Sequence, residues 1–379
     1  MITKFDSSYY GTADMENLGY AGTPINDRCY SKEELAKAMH KVVAYAKCMD
    51  ERGYDTFWMA EHHFQPEGTE LIPNLLMMAM HLCGITRNLN IGCGFNIVPM
   101  WHPLRLAEDY AMADILTGGR VIFGVGRGYH TREVETFGSP LLDQNANREM
   151  FEEGVEVLFK AFEGKSFSPK GKYYAIPPEV PYRGYTLKEI TLVPAPERLP
   201  VECWQPIQSG SERAFDFMAK YGISGVIGGG SAEVAVERHM RGFQAAYGRR
   251  GIKLESASGW RSATNSTSRR AASRRSARPA PHYEENMKMF GELRLVRALS
   301  DAQIAAMRAP RLAGTVKLPT IEDTVKAGGS LAGRPEDIFE QLKAVPASTA
   351  GARAPPLSPR GTSMRDPRVF ELARTANLD

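Results

Sequence analysis

The chain has 379 residues, 43% of them hydrophobic and 24% charged, with a formal net charge of +3. That length and composition can bury one large barrel or two ordinary domains, and so small a charge gives no electrostatic reason to expect a nucleic-acid partner. No apolar run approaches the roughly 20 residues that cross a bilayer, the N-terminus lacks a basic region followed by an apolar run, and the five cysteines are dispersed without a CxxC pair, so no membrane partner and a cytoplasmic location with reduced thiols are expected.

Residues 2–10 read as a short strand. Residues 31–52, SKEELAKAMHKVVAYAKCMDER, read as a helix. Ser31 and Glu34 have capping-box spacing, Leu35, Met39, Val42, Val43, Ala46 and Met49 form one apolar stripe, and Gly53 stands where a helix ends on glycine. A strand is expected over 54–61, a helix over 74–86, a strand over 89–98 and a helix over 103–117 that starts on Pro103. Strand 121–126 follows, then a loop over 129–145 and a helix over 147–163. A Pro-, Gly- and Tyr-rich stretch, 164–200, separates these units from strand 201–207, helix 211–221, strand 223–228 and helix 231–248.

This alternation predicts parallel strands with helical crossovers. Six strand–helix units by residue 250 predict an α/β fold, a (β/α)8 barrel with an insertion after the fourth unit, in one domain over 1–379; an open doubly wound sheet is the alternative. Strands seven and eight are in doubt. Residues 256–281 hold six Arg, seven Ser and no acid, and 346–365 hold four Pro, so neither stretch resembles a strand buried on both faces. Surface insertions and a shifted reading frame both account for that texture, and neither segment is expected to form a long central strand.

Four motifs carry chemistry. FWMAEHHF, 57–64, ends an apolar strand on Glu61, His62 and His63. Alternation turns the two histidines to opposite faces, and no HxH or HExxH stands nearby, so no metal is expected; a barrel's active site lies at strand C-terminal ends. GVGRGYH, 124–130, lacks GxGxxG spacing, but its glycines permit close approach of backbone to a ligand and Arg127 offers a fork of donors to a phosphate. QSGSERAF, 208–215, is a strand end followed by a helix start, where free N–H groups favour an anion; Ser209 or Ser211 also serves as a simple N-cap. In FNIVPMWHPLRLAEDYAMAD, 95–114, Glu108 and Asp109 read as helix-surface residues.

GYDTFWMAEHHF, IVPMWHPLRLAEDYAMADILTGGRVIFGVGRGY and QSGSERAFDFMAKYG together resemble the bacterial luciferase-like, flavin-dependent monooxygenases, in order and in spacing. The resemblance runs to about residue 253 and returns around 282–299 and 321–345. It implies reduced FMN at the strand C-terminal ends, with His62 and Glu61 as catalytic residues. It implies a flavin site formed by Gly94, Phe95, Gly126, Arg127, Gly128, Ser209, Gly210 and Ser211, with the phosphate on Arg127 and Ser209 and a non-proline cis peptide at Gly94–Phe95. Gly126 stands where light-emitting members carry a cysteine, which argues against light emission. The implied partners are oxygen, a small apolar or carbonyl-containing organic substrate, a separate NAD(P)H:flavin reductase and a second copy in a homodimer. A deazaflavin-dependent oxidoreductase, a non-catalytic flavin-binding homologue and a metal hydrolase barrel are the competing readings.

Overall fold

Strand alternation divides the protein into two apolar layers. The structure, a computed structural model, describes residues 6–340 apart from 209, 229–232, 255–259, 263–264, 269–278, 297–298, 328–329, 334–335 and 338–339. One continuous sheet joins β1 (Asp6–Ser8), β2 (Thr56–Met59), β3 (Asn90–Cys93), β5 (Val121–Gly126), β8 (Cys203–Ile207), β9 (Ser224–Ile227) and β10 (Trp260–Ser262), each parallel to the next; β4 (Asn96–Ile97) extends β3 and pairs with β5. The register sets Trp58, Gly92 and Ile122 side by side, and likewise Gly124, Trp204 and Ser224. These positions face inward, where Trp58, Ile122 and Trp204 cluster with Phe95 and Val226. The alternate positions, among them Phe57, Met59, Ile91, Val121, Phe123, Val125 and Ile207, pack outward against the helices in the main core.

The helices form where their signals predict. In α1 (Lys32–Glu51) the capping box closes at both ends, with Ser31 Oγ accepting from Glu34 N and Glu34 accepting from Ser31 N. The helix α2 (Leu75–Ile85) is capped by Asn74, α3 (Pro103–Thr117) starts on its proline, and Gly118 ends it at φ +61°. After β5 come α4 (Thr131–Val134) and α5 (Gln144–Phe162), capped by Asp143. The expected loop over 129–145 therefore holds one helical turn and the start of α5. The insertion carries an antiparallel pair, β6 (Val180–Tyr182) and β7 (Tyr185–Leu187), before α6 (Glu212–Tyr221) and α7 (Glu233–Arg249) complete units five and six.

The fold is a (β/α) barrel; short pairing near Trp260 agrees with expectation, and the eighth strand position departs from it in place. Within 256–281 lie β10 and β11 (Asn265–Ser268), of three and four residues, and no long strand occurs there among the described residues. The strand β11 pairs in parallel with β12 (Ser330–Gly333). The eighth strand thus precedes 346–365, which lies outside the described residues. Its short sequence SLAG carries no β-branched run by which a strand could be read. Between them lie α8 (Pro279–Glu292), α9 (Asp301–Arg308) and α10 (Ile321–Lys326); Leu299, Ile304 and Met307 meet Tyr20 in a small satellite core, and Tyr283 of α8 bonds Thr324 of α10 at 2.7 Å. Glu285 on α8 anchors the N-terminal loop: it accepts from Gly19 N at 2.9 Å and pairs with Arg28 at 3.0 Å and Lys288 at 2.6 Å.

Candidate active site

The residues after β2, β4 and β5 converge beyond the strands' C-terminal ends. His62 and His63 diverge, as alternation requires. His63 contacts Glu61 at 3.1 Å and lies against Phe64 and Phe137. His62 turns the other way and is buried, 4% exposed. Its Nδ1 lies 3.3 Å from both carboxylate oxygens of Glu133, and its Nε2 lies 3.0 Å from the Tyr129 hydroxyl and 3.3 Å from Glu70 Oε2. Tyr129 also donates to Glu70 at 3.3 Å, and His130 Nε2 lies 3.6 Å from the same oxygen.

Glu133 and Glu70 are both almost fully buried. Burial by itself raises the Glu133 pKa, but the hydrogen bond from His62, the charges of His62 and His130 and the Gln65 amide outweigh it, and the net shift is downward. The Gln65 amide donates to Glu133 at 2.7 Å, and Thr69 holds the Gln65 carbonyl by a short hydrogen bond. The loop of residues 60–72 is thereby tied to the segment after β5. Gly128 makes the turn that brings Tyr129 and His130 inward: its φ is +81°, and a Cβ there would lie 2.6 Å from Val134 Cγ2.

Glu61 is engaged elsewhere. Its Oε2 accepts from Ile97 N at 2.8 Å, its Oε1 accepts from Trp101 Nε1 at 2.9 Å, and His63 takes up a further contact to Oε1. It fixes β4 and the turn that follows, and its carboxylate points away from His62. The peptide Gly94–Phe95 is cis, at the position the resemblance implies. Around it the wall is glycine-thin: a Cβ at Gly124 would sit 1.9 Å from Cys93 O, and one at Gly126 would meet Phe95 and Ile97 at 3.2 Å.

Arg127 leaves the end of β5 toward α5. Its Nε donates to Asn147 Oδ1 at 2.8 Å, and an Nη donates to the Gln144 carbonyl at 3.1 Å. Its pKa is lowered to about 10, by burial first and then by the nearby positive charges of Arg148 and Arg213, against which Glu152 acts. Glu152 is itself paired with Arg213 at 2.6 Å. Gly210 has φ +60°, and Ser211 caps α6 by accepting from Ala214 N at 3.3 Å. Ser209 lies outside the described residues. The structure thus brings Arg127 and the α6 start into one basic region, and His62 into a separate acid–histidine cluster. Glu70, Glu133 and His130 escaped the sequence reading. Glu70 and His130 lie on loops and Glu133 in a single turn of helix, where no periodicity exposes a buried carboxylate; the one available signal was the acid density around the histidine motif.

A family model for luciferase-like monooxygenases matches residues 19–353. The chain belongs to that family. Among curated relatives, an alkanal monooxygenase alpha chain of Photorhabdus laumondii is 34% identical over 116 residues, 31% of each chain. The uncharacterized protein y4vJ of Sinorhizobium fredii is 32% identical over 146 residues, 38% of this chain and 40% of that one. The matches thus span a third to two-fifths of those relatives' length. Among solved structures, the oxygenating constituent of 3,6-diketocamphane monooxygenase of Pseudomonas putida, a type II Baeyer–Villiger enzyme in complex with FMN, has a TM-score of 0.68 at 16% identity, covering 98% of this chain and 95% of that one. An F420-dependent secondary alcohol dehydrogenase has a TM-score of 0.65 at 14% identity, covering 98% of each. At these identities the structural likeness shows the fold, a barrel shared by monooxygenases and F420-dependent enzymes.

Proposed function

We propose that this chain, a single barrel domain, is the oxygenating component of a two-component monooxygenase, which uses reduced FMN and oxygen on a small apolar or carbonyl-containing organic molecule. The observation that carries this reading is Arg127: a half-buried guanidinium at a strand C-terminal end, its charge disfavoured by Arg148 and Arg213. A phosphate there relieves that repulsion and takes charge-assisted hydrogen bonds, and the free N–H groups at the start of α6 add to the cradle. Gly94, Gly124 and Gly126 let this wall pack closely on itself, since a Cβ there would meet Trp58, the Cys93 carbonyl, Phe95 and Ile97.

Arg127 and the α6 start would hold the FMN phosphate, with Gly94, Phe95, Gly126 and Gly128 along the ring's path. When bound, reduced FMN supplies the electrons and the oxygen activation. His62 then holds or moves the proton, its imidazole oriented by Glu133 at Nδ1 so that Nε2 faces Tyr129 and Glu70. Glu61 acts as a positioning residue. Aromatic side chains, Phe64, Trp101 and Tyr129, favour an apolar substrate at the mouth. No dinucleotide fingerprint stands in the sequence, so electrons come from a separate NAD(P)H:flavin reductase.

A homodimer follows from α2 and α3. The helix α2 is apolar except for His81, close to the pattern of buried helices, yet Met77 on it is 72% exposed, and Met112 and Leu116 on α3 are 50% and 65% exposed. A second copy is the partner that covers them.

The deciding experiment titrates the purified chain with reduced FMN, riboflavin and reduced deazaflavin, and adds a reductase and a panel of ketones and aldehydes. Preferential FMN binding and reductase-dependent oxygenation are expected. Preferential deazaflavin binding with hydride transfer and no oxygen consumption would overturn the proposal.

A further inference from the structure

Three side chains in the cluster have the composition and spacing of a metal ligand set. His62, Glu70 and His130 each offer one ligand atom, and these atoms all lie within 4.8 Å of one another. The pairwise separations of 3.3 Å, from His62 Nε2 to Glu70 Oε2, and 3.6 Å, from His130 Nε2 to the same oxygen, suit ligands that each stand about 2.0–2.2 Å from one central ion. All three residues are buried, and His130 Nε2 is inaccessible to solvent and has no hydrogen-bond partner. A buried ring nitrogen that lies 3.6 Å from a carboxylate oxygen without a hydrogen bond is costly as it stands; an ion would satisfy it.

The surroundings strengthen the case. Glu133 accepts at Nδ1 of His62, which fixes the tautomer that leaves the Nε2 lone pair inward; this carboxylate–histidine arrangement accompanies metal-bound histidines. Gln65 in turn holds Glu133. The Tyr129 hydroxyl, 3.0 Å from His62 Nε2 and 3.3 Å from Glu70, adds an oxygen at the same spot. Two imidazoles and one carboxylate suit zinc and its first-row neighbours rather than calcium or magnesium.

We infer that His62, Glu70 and His130 bind one divalent first-row transition ion, with Zn2+ the natural probe. No metal is expected from the sequence because His62 and His63 diverge; the other ligands come from residues that lie 8 and 68 positions further along the chain. The ion and a proton compete for the same Nε2 lone pair, so under the reading above the loaded protein is the inactive form. The metal site itself does not depend on that reading.

The test is metal binding to the chelator-treated full chain without flavin, by equilibrium dialysis with Zn2+ and by the visible spectrum with Co2+. One ion per chain at micromolar or tighter affinity is expected, with the intense absorption of a four- or five-coordinate Co2+ site. His130→Gln and Glu70→Gln should each abolish binding, and Glu133→Gln should weaken it roughly 10–100-fold. His63→Ala, whose ring faces Glu61, should leave it unchanged. Where a variant fails to fold, the Co2+ spectrum of the parent still decides. Weak, six-coordinate Co2+ absorption, no saturable Zn2+ binding, or binding that survives both His130→Gln and Glu70→Gln would overturn the inference.

Discussion

Replacing Glu61 separates a positioning role from a chemical one. Glu61 is 2% exposed and accepts from Ile97 N, Trp101 Nε1 and His63. Glu61→Ala removes the acceptor of all three donors at once. Ile97 is 7% exposed, so its amide is left without water, at a cost of about 1–3 kcal/mol. Trp101 and His63 are partly exposed and recover much of their bonding from solvent, and the lost packing adds about 1 kcal/mol. The desolvation cost of the carboxylate is returned, so we expect a net loss of about 2–4 kcal/mol. Glu61→Gln keeps an acceptor for Ile97 but sets an amide N–H against the Trp101 indole, and should cost about half as much. Urea unfolding followed by tryptophan fluorescence and by circular dichroism measures both, read from the midpoint at constant slope. Turnover of the folded variants should fall far less than for His62→Ala. A Glu61→Ala protein within about 0.5 kcal/mol of the parent, or one whose turnover loss equals that of His62→Ala, would refute the positioning account.

Arg127→Ala should weaken reduced-FMN binding by about 1.5–3 kcal/mol, roughly ten- to 150-fold, and leave riboflavin binding unaltered; equal losses for both ligands would show that no phosphate lies there. His62→Ala should retain flavin binding and lose about 10²–10⁴-fold in oxygenation with increased hydrogen peroxide release, whereas His63→Ala should lose little; the reverse pattern would place the proton group on the other face. Acid should destabilise the protein through Glu133. Its folded pKa lies below the ordinary value of 4.5, so its contribution is complete above that value and is lost as pH falls through it toward the folded pKa. Urea midpoints of parent and Glu133→Gln should therefore converge as pH falls below 4.5, and a gap independent of pH would contradict the assignment.

How much of this was legible beforehand depends on whether the information is local. The capping box at Ser31 and Glu34, the stripe of α1, Pro103 at the start of α3 and the six-residue run of β5 are each written within one element, because hydrogen bonding and burial along a helix or strand repeat at fixed spacing. The divergence of His62 and His63 was legible for the same reason. The eighth strand was not: Ser330–Gly333 is four residues without a β-branched side chain, its partner, β11, lies more than 60 positions earlier, and parallel pairing leaves no mark on the nearby sequence. Nor was the grouping of His62 with Glu70, Glu133 and His130. These residues come from loops and a single helical turn, where side-chain direction follows the path of the chain rather than a period. That path is set by the Gly128 turn and the Gln65–Glu133 hydrogen bond, contacts that exist only once the second and fourth barrel units stand on either side of the third. The sequence alone determined the barrel's repeating units and the residue types at its mouth; tertiary packing decided which of them meet, because ligand geometry depends on distances in space and not on spacing along the chain.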